Sequence, residues 1–274
     1  MKPSLFLASS FILLRANAHY LFDRLLVNDT WSEPWEYIRK ISPQGYDNEN
    51  TKTDYDYIIP VVDPSLLDLR CGRNAWTAWS QPKTAVVTAG DTVGFAVNTT
   101  VGLPIEGAQV MPWDRYPNLY HPGPATAWLS AAPGAIGEYE GDGEWFKILS
   151  VVGRTAQSVP PNDEYYWKHQ WGTYQATNWT FAIPKATPPG DYLLRFEHVY
   201  TLPANSLQGA QFYANCAHIT IVNHNVEIGT PGPLVKIPGV YTFGQKELYF
   251  FADVGNETYN IHDFVEPKPG VWQG

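Results

Sequence analysis

The sequence predicts an all-β protein, a β-sandwich carrying long loops, and three observations predict it. Short runs of β-branched, aromatic or alternating residues recur along the chain with turn residues between them. No stretch sustains a helical hydrophobic period. Eleven Trp, seventeen Tyr and twenty-three Pro, with only 16% charged residues, suit long ordered loops on a strand framework better than a helical protein.

The chain opens with Lys2, an apolar run from Ser4 to Leu14, and the small-residue triplet Ala16-Asn17-Ala18, the pattern of a secretory signal peptide cleaved after Ala18. Residues 19–274 are then read as one large β domain, with no internal repeat and no further segment apolar enough to span a bilayer. Removing residues 1–18 takes away two bases and no acid, so the net charge moves from −9 to −11. That acidity disfavours nucleic acid and anionic membranes as partners. Sequons at Asn28, Asn98, Asn178 and Asn256 agree with secretion.

Cleavage after Ala18 makes His19 the amino terminus. A terminal histidine offers its α-amine and an imidazole nitrogen to one ion, so His19 reads as half of a copper site; an ordinary surface histidine is the alternative. Tyr20–Val27 follows as a strand and turns at Asn28-Asp29. Residues 32–67 form a long loop region rich in Pro, Asp, Asn, Gly and Tyr, a length more often functional than idle. Thr84–Thr88 and Thr92–Asn98, joined by Ala89-Gly90-Asp91, read as a hairpin.

In Tyr120-His121-Pro122-Gly123-Pro124 the prolines stiffen the chain beside His121, which leaves little entropy to lose on binding a metal; a plain turn histidine is the alternative. Ala125–Ser130 and Trp145–Val152 are strands. Between them, the acidic stretch 137–144 reads as a solvated loop rather than a glycosidase acid and base pair. His169, between Trp167 and Trp171, reads as a loop histidine, with sugar contact as the lesser reading. Thr177–Ile183 is a strand, Tyr192–Thr201 the longest strand, and Ala217–Val226 another, carrying His218 and His224 as structural or exposed residues. The tail from Thr230 is expected to wrap the sandwich as coil. Cys71 and Cys216 form one bridge in an oxidising compartment, or remain as two buried thiols.

The chain resembles the auxiliary activity family 9 lytic polysaccharide monooxygenases, once classed as family 61 glycoside hydrolases. The likeness rests on His19-Tyr20-Leu21-Phe22, Asp68-Leu69-Arg70-Cys71, Tyr120-His121-Pro122-Gly123-Pro124 and Glu144-Trp145-Phe146-Lys147-Ile148. It continues through Gly190-Asp191-Tyr192-Leu193-Leu194-Arg195 and Gly209-Ala210-Gln211-Phe212-Tyr213 to Cys216. Each motif is weak alone, and together in this order they are specific.

The resemblance implies an immunoglobulin-like sandwich with a Cys71–Cys216 bridge and one copper ion per chain, held by His19 and His121 with Tyr213 axial. Gln211, two residues before Tyr213, shares its strand face and is placed to hydrogen-bond an oxygen species; a buried tyrosine with an amide partner is the alternative for the pair. Tyr241 is the candidate sugar-stacking residue, with a packed tyrosine as the alternative. The implied activity is oxidative cleavage of cellulose or a related β-glucan by a secreted monomer, with an external electron donor and O2 or H2O2. One position departs from the pattern: the family usually has a second histidine seven residues after the arginine, and here that residue is Leu202. His198 lies four residues short of it, roughly 13 Å along an extended strand. This departure favours the rival expectation, a copper- or polysaccharide-binding protein on the same scaffold that does not cleave its ligand.

Overall fold

The computed structural model describes residues 19–44, 54–98, 117–161, 168–201, 209–225, 227–248, 250 and 261–274. Nine strands among them form two sheets. The smaller has the order β2 (Thr30–Trp31), β1 (Leu21–Val27), β4 (Thr92–Asn98), β7 (Asn178–Ala182). The larger has the order β3 (Ala85–Thr88), β9 (Gln211–Val222), β8 (Gly190–Tyr200), β5 (Ala125–Ala131), β6 (Phe146–Val151). The one α-helix in the described residues is the single turn Asp54–Ile58. The result is the β-sandwich that the alternation of short runs and turns predicts.

The first hairpin turns through Asn28 and Asp29, both in the left-handed region at φ 49° and 58°, the backbone that a two-residue hairpin loop needs and that Asn and Asp tolerate best after glycine. A register shift in β1 between Phe22 and Arg24 lets Phe22 and Leu25, three residues apart, both face the core between the sheets. They meet Phe95, Val93, Trp179 and Phe181 from the small sheet and Leu194, Phe196, Ile219 and Ile221 from the large one.

The larger sheet is buried on both faces. On its outer side Trp128, Leu193, Phe212 and Cys216 pack under loop residues that include Ile41, Tyr57, Leu69, Cys71, Tyr139, Trp145, Ile237 and Leu248. That second core explains why β8 and β9 read as nearly continuous apolar runs rather than as clean alternations. The Cys71–Cys216 bridge ties the loop layer to β9 across 145 residues, with the Cα atoms 5.0 Å apart.

Three sequence expectations are corrected. Residues 85–88 and 92–98 are not a hairpin: β3 pairs in parallel with β9, whereas β4 lies in the other sheet between β1 and β7. The Ala89-Gly90-Asp91 turn crosses between sheets, held by Gly90 N–H to Ile183 O and Ile183 N–H to Asp91 O, both 2.9 Å. The last strand runs 211–222 rather than 217–226, because Gln211–Cys216 pair with Tyr200–Arg195 without a break. At 12 residues it also exceeds β8 at 11. From Thr230 the described tail is coil and single 3-10 turns, with one bridge between Trp145 and Val235.

Candidate metal centre

Four chain segments converge at one end of the sandwich. The β8–β9 register puts Tyr200 opposite Gln211 and His198 opposite Tyr213, and the β5–β8 register puts Ala125, four residues after His121, opposite His198. β1 begins at Leu21, so His19 and Tyr20 emerge beside them. Since side chains alternate along a strand, His198 and Tyr200 on β8 share one face with Gln211 and Tyr213 on β9.

There the rings of His19, His121 and Tyr213 form a near-equilateral triangle: centroids are 5.9 Å apart for His19 and His121, 6.1 Å for His19 and Tyr213, and 5.9 Å for His121 and Tyr213. A ligating imidazole places its metal about 3.2 Å from the ring centroid for a metal–nitrogen bond near 2.0–2.1 Å, so two rings on one ion stand at most about 6.4 Å apart. The observed histidine separation fits that limit. Among the described residues no cluster of three His, Cys, Asp or Glu side chains exists. Two imidazoles with a phenol, and no carboxylate or thiolate, suit a nitrogen-preferring transition metal rather than a hard cation.

Local structure fixes each group. His121 stacks face to face on Tyr200, centroids 4.2 Å apart and planes within 5°. Its loop lies tight on β8: Val199 N–H donates to Pro124 O at 3.0 Å, and a Cβ at Gly123 would overlap the Val199 carbonyl oxygen, so only glycine fits there. Tyr213 is buried, and its hydroxyl donates to Gln211 Oε1 at 2.6 Å. The two residues share a strand face, and the bond between them is that of a buried tyrosine with an amide partner, the alternative reading of the pair.

Burial, reinforced by the positive charge of Arg73, holds the His19 imidazole below its ordinary pKa and therefore neutral, the form that has a lone pair to give. Arg73 itself is fixed by carbonyls, donating to Tyr57 O at 2.6 Å, Asp56 O at 3.0 Å, Ser42 O at 3.1 Å and Ile59 O.

Tyr241 is corrected. It is buried, 5% exposed, its ring stacks on Phe212 at 5.3 Å, and its hydroxyl donates to Glu197 Oε2 at 2.7 Å. It belongs to the second core and offers no face to a sugar. The exposed aromatic ring beside the site is Tyr120, 47% exposed and edge-on to His121 at 5.8 Å.

Leu202 lies outside the described residues. His169 is buried against Tyr174, not placed at a surface. His218 is buried and accepts from Arg39, and His224 is exposed. Glu144 in the acidic loop faces Lys236 at 3.5 Å with both side chains about half exposed, as a solvated loop should. Sequence reading missed Tyr20, Tyr200 and His198 as neighbours of the site. The even spacing of 198 and 200 before the turn, against 211 and 213 after it, is the signal that places them together.

Comparison with known proteins bears on the family and the fold. The model of auxiliary activity family 9, formerly glycoside hydrolase family 61, matches residues 19–259. AA9 family lytic polysaccharide monooxygenase U of Thermothielavioides terrestris is 32% identical over 94% of each chain. AA9 family lytic polysaccharide monooxygenase C of Emericella nidulans is 32% identical over the full length of both. Among solved structures, HiLPMO9B superposes with a TM-score of 0.62 at 23% identity, covering 93% of this chain and all of that one. Cel61B of Hypocrea jecorina gives 0.61 at 20%, with the same two coverages. With a sandwich of that fold, two histidines and a tyrosine gathered at its end, and a family match that begins at the first of those histidines, the chain belongs to auxiliary activity family 9, the lytic polysaccharide monooxygenases, enzymes that cleave polysaccharides oxidatively.

Proposed function

We propose that the protein is a secreted, monomeric, copper-dependent monooxygenase that acts on cellulose or a related β-glucan once residues 1–18 have been removed. The observation that carries this is the triangle of His19, His121 and Tyr213 with centroids 5.9–6.1 Å apart. In this reading His19 would hold the ion through its new α-amine and an imidazole nitrogen, His121 would hold it through its imidazole, and the Tyr213 phenol would complete the site. Amine and imidazole nitrogens suit copper. Copper bound there supplies one-electron chemistry, taking electrons from an external donor and activating O2 or H2O2 to oxidise a C–H bond at a glycosidic linkage.

The rest falls to the chain's own residues. The rigid Pro122-Gly123-Pro124 loop and the Tyr200 stack hold His121 in place, so little entropy remains to be lost on binding. Gln211 Oε1 is occupied by the Tyr213 hydroxyl, which turns that amide into a donor: its NH2 group is what remains to meet an oxygen of oxidant or substrate. Tyr120 supplies an exposed ring face for a sugar, the role the buried Tyr241 cannot fill.

Processed, copper-loaded protein incubated with ascorbate and cellulose should release oxidised oligosaccharides detectable by mass spectrometry. Their absence across several glucans and xylans would overturn the reading. Leu202 favours the second reading, a copper- or polysaccharide-binding protein without turnover. That one stands if copper binds tightly yet wild type and His121→Ala give the same product profile.

A further inference from the structure

One layer behind the metal-binding rings lies a pair that neither the copper reading nor the family match assigns. His198 is completely buried on β8, in the core between the sheets, and its Nδ1 lies 2.6 Å from the hydroxyl oxygen of Tyr20. Both side chains are buried, and each finds its hydrogen-bond partner in the other. With the phenol O–H as donor and Nδ1 as acceptor, the bond goes with the imidazole tautomer that carries its proton on Nε2. Across the β5–β8 ladder His198 lies opposite Ala125, which follows the His121 loop.

Stability alone does not account for this pair. Replacing both partners of a buried hydrogen bond by apolar groups of similar shape is close to neutral, and an aliphatic residue on β8 with a phenylalanine at position 20 would fill the same space. The hydrogen bond instead fixes the Tyr20 ring, and that ring touches every part of the site. It follows His19 in the chain, stacks on Tyr213 at 4.2 Å with planes 27° apart, and stands 6.2 Å from His121. On its far side it meets His198 at 5.7 Å. Since His198 and Tyr213 face each other across the β8–β9 ladder, the pin and the ring it steadies sit on neighbouring strands.

We infer that His198 is a positioning residue which, through its hydrogen bond to Tyr20, holds the aromatic wall against which Tyr213 stands and so sets the orientation of Tyr213 relative to His19 and His121. The inference rests on the copper reading only for its spectroscopic consequence.

The test compares Tyr20→Phe, His198→Leu and His198→Asn with wild type. The asparagine carboxamide keeps an acceptor near the position of Nδ1, and leucine does not. In metal-free protein, NMR should show the Tyr213 ring flipping about three- to tenfold faster in Tyr20→Phe and His198→Leu, as expected for loss of one hydrogen bond's worth of restraint. His198→Asn should return most of the way to the wild-type rate. In Cu(II)-loaded protein, the electron paramagnetic resonance spectra of the first two variants should shift alike, without additivity in the double variant, and the asparagine variant should resemble wild type. Unchanged flip rates, or an asparagine variant that matches leucine, would overturn the inference. If the wild type shows no bound-copper signal, the copper reading fails, and the metal-free flip rates still decide the role of His198. Thermal unfolding of each variant separates a loosened ring from a loosened fold.

Discussion

His19 illustrates what a single residue can and cannot disclose. The sequence shows that processing after Ala18 would expose it and that His121 sits on a proline-stiffened loop. It does not show that the two rings lie 5.9 Å apart, because that distance depends on β1 and β5 starting at the same end of the sandwich. Tyr213 is legible only through the family resemblance, and Gln211 follows from it by its spacing of two; the strand that carries both, expected from Ala217, begins six residues earlier at Gln211. Tyr241 was misassigned because an aromatic in a Pro-Gly segment reads the same whether it faces water or packs on Phe212, and only the buried Arg195–Glu197 pair beneath it decides. In the proposed function Tyr120 takes the role. A Tyr120→Ala variant should lose about five- to tenfold in affinity for an insoluble β-glucan, the worth of one aromatic stacking contact, measured by depletion binding. Unchanged binding would move the sugar platform elsewhere.

At the scale of elements, β8 and β9 were visible as apolar runs because both faces of their sheet are covered. The partner of β3 was not visible. Ala-Gly-Asp has the chemistry of a hairpin turn, and nothing local says that the chain leaves it for the opposite sheet, where Gly90 and Asp91 bond to Ile183. The loop layer over the large sheet depends on one clamp that lacked any sequence signal. Arg39, fully buried, donates to Tyr139 O at 2.6 Å, Trp76 O at 2.9 Å, Ile136 O at 3.1 Å and Ala75 O at 3.3 Å, and its Nε donates to His218 Nε2 at 2.7 Å. Two separated loop segments and strand β9 therefore share one guanidinium. Arg39→Met keeps similar volume but leaves these acceptors buried without a donor. Chemical denaturation should show a loss of about 3 kcal/mol.

For the whole molecule, two large cores and one bridge dominate the stability, and buried histidines add a dependence on acid. Closing 145 residues with Cys71–Cys216 is worth ~5 kcal/mol in the chain-entropy model. His198 and His218 both fall to a pKa of about 3 in the folded state, the first by burial, the second by burial and the Arg39 charge. A histidine depressed on folding takes up its proton only in the unfolded chain. Stability is therefore full above about pH 6.5 and declines as pH falls toward 3, by about 1.4 kcal/mol per pH unit for each residue. Replacing His218 by Gln, which keeps an acceptor and does not titrate, should flatten part of that slope in thermal unfolding followed from pH 7 to 4. The sandwich was legible from composition and alternation; the second core was not, because loops that bury an outer sheet face have no period. The account finally turns on the terminal amine. Calorimetric Cu(II) titration of a chain that starts at His19 should give one tight site, and the same chain with a single glycine placed before His19 should bind at least about a hundredfold more weakly, since its imidazole then lacks the amine that closes the chelate ring. Equal affinity in the two proteins would contradict the site described here.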